Sequence, residues 1–90
     1  MMFRMWMKIF KDNRLLQDTV ITLDDPEMSR TAKVFQAVSD ACMIFDLSQP
    51  IWLDANIREF KRHNKTRFIQ DNFVEEIPFD FLEIHVIEED

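Results

Sequence analysis

Hydrophobic residues alternate with polar ones on both sides of Lys11-Asp12-Asn13-Arg14, which predicts an N-terminal β-hairpin from Phe3 to Leu23. Asp12 and Asn13 suit the turn because both residue types tolerate positive φ. A two-residue loop there pairs Phe10 with Leu15 and Met5 with Val20. In that register one face carries Phe3, Met5, Met7, Ile9, Leu16 and Val20, and the other carries Trp6, Phe10, Leu15 and Ile21. We expect the first face to meet the core, since it has more apolar area.

A long amphipathic helix is predicted to follow the hairpin. Asp25-Pro26-Glu27 is a typical helix start, because Asp accepts from unpaired backbone N–H groups and Pro is preset for the first helical position. The helix runs to about Asp46, and its apolar stripe is formed by Met28, Ala32, Phe35, Val38, Cys42 and Phe45. We expect this stripe to pack on the first face of the hairpin, which buries both surfaces at once.

Residues 51–69 have two interpretations. The favoured one is a second short helix, capped by Asp54, with Ile57 and Phe60 inward and Asn64 as a left-handed stop. The alternative is a second hairpin, because the apolar residues between Ile51 and Ile57 also alternate.

The last third of the chain predicts more β structure. Thr66 to Ile69 is a short strand, residues 71–77 are a helical turn, and Phe79 to Glu88 is a final strand with Leu82, Ile84 and Val86 inward. The predicted fold is therefore α+β: one domain over residues 1–90, with a small, mostly antiparallel sheet packed on one side by the long helix.

Three stretches of this last third, Lys65-Thr66-Arg67-Phe68, Phe79-Asp80-Phe81-Leu82-Glu83 and Ile87-Glu88-Glu89-Asp90, resemble a group of short, uncharacterised bacterial proteins. The resemblance does not extend to the first two thirds of the chain. It implies no activity, cofactor or site residue.

The composition excludes several chemistries. The chain has no glycine, so phosphate-binding loops, dinucleotide fingerprints and calcium loops are absent. The only cysteine, Cys42, has no disulfide partner and falls on the apolar helix stripe. His63, His85, Cys42 and Glu83 lack the paired spacing of zinc ligands. We expect no enzyme activity, no cofactor and no small-molecule substrate.

The N-terminal segment does not have the uninterrupted apolar core of a signal peptide, since Arg4 and Lys8 divide it. No run approaches the roughly 20 apolar residues of a membrane-spanning helix. A cytoplasmic location is expected.

The net charge is −6, yet residues 58–69 carry +4 and residues 70–90 carry −8. The basic stretch offers candidate nucleic-acid-binding residues, namely Arg58, Lys61, Arg62, Lys65 and Arg67, with Phe60 and Phe68 as stacking partners. Alternatively, these cations pair with the acidic tail. Within the tail, Glu75, Glu76, Asp80 and Glu83 would form the binding face of an acidic decoy that inhibits a nucleic-acid-handling enzyme.

The second hairpin face supplies the leading hypothesis. Trp6, Phe10, Leu15 and Ile21 lie among basic side chains, and this composition is typical of an interface core and its rim. Either the C-terminal segments cover these residues or a partner does, and a homodimer is the simplest partner. The sequence thus predicts a non-enzymatic protein-protein interaction or regulatory module that self-associates.

Overall fold

The strands form one antiparallel sheet with the order β2-β1-β4-β3. The computed structural model describes residues 2–89; Met1 and Asp90, the last residue of the acidic stretch, lie outside the described residues. The strands are β1 (Phe3–Lys11), β2 (Arg14–Leu23), β3 (Lys65–Phe68) and β4 (Phe81–Glu89). The helices are α1 (Arg30–Phe45) and α2 (Asp54–His63), and a 3₁₀ turn spans Gln70–Asn72. The predicted α+β class is confirmed. Within residues 2–89, neither helix is long and apolar enough to cross a bilayer.

The core lies on one side of the sheet, under both helices. Alternate residues of β1 from Phe3 to Ile9 are buried there, and their β4 neighbours Leu82, Ile84 and Val86 point inward as predicted. Both helices pack against this side, α1 over β1 and β2 and α2 over β3. The other side of the sheet is therefore left without a covering helix.

The hairpin turns at Asp12 and Asn13, which adopt φ of 53° and 64°, and Phe10 pairs with Leu15 as predicted. Beyond that pair the predicted register is wrong. A β-bulge between Ile9 and Phe10 shifts the pairing by one residue, so Met5 faces Ile21. Because side chains alternate, the shift exchanges the two faces of β2 beyond the bulge.

The bulge corrects three residue assignments. Ile21, expected on the outer face, is 9% exposed and belongs to the core, whereas Val20, expected inside, is 46% exposed. Leu16 is the extra residue of the bulge and is exposed as well.

Helix α1 begins later than predicted. Ser29 is its N-cap and accepts from the Ala32 N–H at 3.1 Å, while the Asp25 carboxylate is occupied by the Glu27 N–H in a preceding turn at 2.9 Å. The helix ends before Asp46, which is left-handed.

The predicted α1 stripe is only partly buried. The buried residues of the helix are Lys33, Val34, Ala37, Val38, Ala41, Cys42 and Phe45. Of the residues predicted to point inward, Met28 precedes the helix and Ala32 is exposed. Phe35 is 51% exposed, because its ring packs edge-on against Trp52 instead of the sheet.

Helix α2 is present, so the alternative second hairpin over residues 51–69 is wrong. It ends at Asn64, which has a φ of 58° as predicted. Asp54 is its first residue rather than its cap, and Ile57 is exposed, while Phe60 is buried together with the unforeseen Asn56.

A buried amide network fixes α2 against β3 and the 3₁₀ turn. The Asn72 amide donates to the Ile51 carbonyl at 2.8 Å and to the Asn56 Oδ1 at 2.7 Å. The Asn56 amide donates in turn to Thr66 Oγ1 at 3.0 Å and to the Arg67 carbonyl at 2.9 Å. Because each buried polar group has a partner, the network holds the second half of the fold in one arrangement.

Candidate binding surfaces

The uncovered side of the sheet, here called the open face, is the first candidate surface. Its side chains come from all four strands, since residues paired across neighbouring strands point to the same side. They are Arg4, Trp6, Lys8, Phe10, Leu15, Asp18, Val20, Thr22, Lys65, Arg67, Phe81, Glu83, His85 and Glu88.

Four charged side chains cross the centre of the open face in one line. In the order β2, β1, β4, β3 they are Asp18, Lys8, Glu83 and Arg67, so their signs alternate. Glu83 accepts from Lys8 Nζ at 2.9 Å and from Arg67 Nε at 3.0 Å. Asp18 accepts from the Trp6 indole N–H at 2.9 Å. We call this line the charged row.

Glu83 is 8% exposed, although it lies on a side of the sheet that no helix covers. Burial alone would raise the pKa of its carboxyl, but the hydrogen bonds and charges of Lys8 and Arg67 outweigh it and hold the pKa below the usual range. Glu83 is therefore ionised and already neutralised by two cations of its own chain.

Aromatic rings flank the charged row. Phe10 and Phe81 stack with centroids 5.1 Å apart, and the Arg67 guanidinium lies 4.4 Å from the Phe81 ring centroid. On the other side of the row, Lys8 Nζ lies 4.0 Å from the centre of the Trp6 ring. These contacts leave Trp6, Phe10 and Phe81 half-buried rather than free in solvent.

Three of the four predicted interface residues, Trp6, Phe10 and Leu15, lie together on the open face, whereas Ile21 lies in the core. Sequence reasoning missed the charged row as a unit. Its members come from separate parts of the chain, and only the strand order brings them into line.

The predicted acidic face is not assembled. Glu75 and Glu76 are exposed in the segment before β4, and Asp80 accepts from the backbone N–H of Asp12 at 2.8 Å. Glu83 belongs to the charged row. These four carboxylates therefore lie in three different surroundings.

The predicted basic segment is divided between two elements. Arg58, Lys61 and Arg62 are exposed on α2, whereas Lys65 and Arg67 are on β3 and belong to the open face. The four ion pairs within residues 2–89 leave out Arg58, Lys61, Arg62 and Lys65. Of the five predicted basic residues, only Arg67 pairs with a tail carboxylate in this part of the chain. The predicted stacking residues Phe60 and Phe68 are buried.

A groove of about 260 Å³ between the two helices is the second candidate surface. Its lining is mostly apolar: Val34, Phe35, Trp52, Ile57 and Phe60, with Arg30, Thr31 and Lys61 beside them. Trp52 meets Phe35, Phe60 and Phe68 edge-on, at centroid distances of 5.8, 5.4 and 5.1 Å. The sequence did not reveal this groove, because the groove forms only where α1, α2 and Trp52 come together in the fold.

Among the described residues, Cys42 and the potential metal ligands form no candidate metal or nucleophile site. Cys42 is buried, and burial raises the pKa of its thiol to about 11, so it is protonated at neutral pH. Within residues 2–89, no group of three His, Cys, Asp or Glu side chains is arranged to hold a metal ion.

No protein-family model, curated protein or solved structure matches this chain. The open face and the groove between the helices are therefore the features from which its function is inferred.

Proposed function

We propose that this protein is a non-enzymatic interaction module that forms a homodimer through its open face. The observation that carries the proposal is the alternating sign of the charged row. In this dimer the open faces of two copies are stacked on each other. They are related by a two-fold axis that runs parallel to the strands, between the two sheets and above the boundary of β1 and β4. The rotation places β2 of one copy opposite β3 of the other, and β1 opposite β4. Asp18 then meets Arg67, and Lys8 meets Glu83, so every charge of the row faces one of opposite sign.

The same rotation matches the aromatic flanks. Phe10 comes opposite Phe81 of the second copy, since both occupy the same level of the sheet. A two-fold axis perpendicular to the strands would instead bring Asp18 against Asp18 and Lys8 against Lys8. Like charges facing each other are unfavourable, so the charge pattern favours the first axis.

Burial of the central charges in such a dimer costs little. The Lys8 and Glu83 side chains are already only 14% and 10% exposed in the monomer, and each has an oppositely charged partner. Because these side chains already lose most of their water when the monomer folds, dimerisation adds only a small further desolvation penalty.

The dimensions of the open face predict a reversible dimer. Four strands at about 4.8 Å spacing and nine residues at about 3.3 Å each give roughly 500 Å² of flat area per copy once the short β3 is allowed for. The total of about 1,000 Å² is near the lower limit of specific interfaces. We expect a dissociation constant on the order of micromolar.

The decisive experiment uses charge reversal at the two ends of the row, in Asp18→Lys and Arg67→Glu. In sedimentation equilibrium the wild type should dimerise, and each variant alone should be monomeric because two like-charged contacts replace two attractive ones. An equimolar mixture should dimerise again, since each new charge then meets its opposite across the interface. Circular dichroism checks that both variants are folded, and Arg58→Glu on α2 is a control that should dimerise like the wild type.

Two results would reject the proposal. A wild type that stays monomeric at hundreds of micromolar removes the homodimer. Dimerisation of both single variants at wild-type strength would show that the open face is not the dimer interface.

The alternatives predicted from the sequence have less support. The decoy interpretation lacks a continuous acidic surface, because Asp80 and Glu83 are engaged within the chain. The nucleic-acid interpretation loses its stacking residues Phe60 and Phe68 to the core, and the net charge of −6 opposes attraction of a polyanion.

A further inference from the structure

We infer that the groove between α1 and α2 is a separate docking site, independent of the proposed dimer, and that its ligand is an acidic peptide segment with an apolar anchor. Phe35 and Ile57 are exposed large hydrophobic residues on facing walls of this groove. Apolar side chains gathered in a concave site favour an apolar ligand group. The groove is therefore suited to anchor one or two large side chains.

The size of the groove distinguishes a peptide from a small molecule. A volume of about 260 Å³ lies just below the range of roughly 300–1,000 Å³ in which drug-sized ligands are buried. An amphipathic segment needs only to insert its anchor residues, while its backbone and remaining side chains stay outside.

The charge around the groove specifies an acidic ligand. Arg30 at one end accommodates a carboxylate already, since its Nε donates to both oxygens of Glu89 at 3.1 and 3.0 Å. Lys61 lines the opposite wall, and Arg58 and Arg62 are nearby on the same helix. These three α2 cations take part in none of the ion pairs formed within residues 2–89. Of the three, Lys61 lines the groove itself, so a carboxylate beside the anchor would meet Lys61 at the rim.

The rings of the groove favour a side-chain anchor over a nucleobase. Trp52 is enclosed edge-on by its three neighbours, at interplanar angles between 80° and 87°, so the rings form a recess rather than a flat stacking platform. A peptide with a few carboxylates also avoids the long-range repulsion that a polyanion meets from a chain of charge −6.

The groove is already formed in the unbound protein. Its Trp52 wall is held by ring contacts. Beside it, the Ile51 carbonyl accepts from the Asn72 side chain and the Leu53 N–H donates to the Asn56 side chain. A preformed site loses little conformational entropy on binding.

The test uses a blocked twelve-residue peptide of three Leu-Glu-Glu-Phe repeats and a matched peptide with Lys for Glu. Binding is followed by the fluorescence of Trp52 in a Trp6→Phe background at low salt. The acidic peptide should saturate the protein, and the basic peptide should bind at least tenfold more weakly. Lys61→Glu and Phe35→Ser should each weaken acidic-peptide binding about tenfold or more. Lys65→Glu on the open face is the control and should leave it unchanged.

Three results would overturn the inference: no saturation by the acidic peptide at millimolar concentration, equal binding of both peptides, or a wild-type response in both groove variants. A twelve-residue oligothymidylate that binds in a Lys61-dependent manner, while the acidic peptide does not, would assign the α2 cations to nucleic acid instead. Because the control and groove variants lie on different surfaces, failure here leaves the dimer proposal intact.

Discussion

Replacing Asn72 by Ala should be among the most destabilising single changes in this chain, although it removes no apolar group. Asn72 is 2% exposed, and its side chain makes three hydrogen bonds: it donates to the Ile51 carbonyl and the Asn56 Oδ1, and it accepts from the Ile69 N–H at 2.9 Å. Each bond contributes about 1 kcal/mol net, and a buried partner left unsatisfied costs about 1–3 kcal/mol. We expect the free energy of unfolding to fall by about 3–4 kcal/mol, a large part of the roughly 5–13 kcal/mol typical for a chain of this length.

Urea titration, followed by tryptophan fluorescence and circular dichroism, measures the change. Gln36→Ala is the control, because the Gln36 amide makes one exposed hydrogen bond to Asp40 and its loss should alter stability by less than about 0.5 kcal/mol. In a double-mutant cycle with Asn56→Ala, the two losses should not add, since both act on one network. A loss below about 1 kcal/mol for Asn72→Ala, or additive losses in the cycle, would show that the network is not a stabilising unit.

Two further predictions concern the sheet. Ile21→Ala should lower the free energy of unfolding by about 2–4 kcal/mol and Val20→Ala by about 0.5 kcal/mol or less, because only Ile21 is in the core; equal losses would contradict the bulged register. Burial lowers the pKa of His85, and the positive charges of Lys8 and Lys65 lower it further, whereas the negative charge of Glu83 opposes them. The unfolded chain therefore binds a proton at this site more readily than the folded chain does. The contribution of His85 is therefore present above its unfolded pKa near 6.5 and lost as the pH falls through its lower folded pKa, and the melting temperature measured between pH 7.5 and 5 should fall more steeply in the wild type than in His85→Gln. Equal slopes of melting temperature against pH in the two proteins would refute this.

Local signals predicted the elements well where one feature dominated. Asn64 was identified as a helix stop because asparagine tolerates the left-handed conformation, and α2 ends there. The register of β2 was not predictable in this way. Alternation specifies which residues share a face, but one bulged residue inverts that assignment, and its benefit, Ile21 under α1, appears only in the packed fold.

The same distinction between local and long-range features applies to the candidate surfaces. Trp6, Phe10 and Leu15 were found because they are near one another in a hairpin. The charged row and the groove depend on contacts between distant segments, and no local pattern encodes the adjacency of β1 and β4 or the approach of α1 to α2. The burial of Asn56 was not predicted, because a polar residue is expected on the inward side of a helix only where it has hydrogen-bond partners. Its partners Thr66 and Asn72 come from other segments of the chain.

The left-handed residues have a consequence for the denatured chain. Asp12, Asn13, Asp46 and Asn64 adopt φ between 53° and 64° without glycine, at a modest steric cost that glycine would avoid. Glycine would, however, enlarge the set of conformations open to the unfolded polypeptide. A chain with 0 glycines in 90 residues therefore loses less conformational freedom when it folds. Part of its stability comes from the smaller number of unfolded conformations and not from any contact in the native structure.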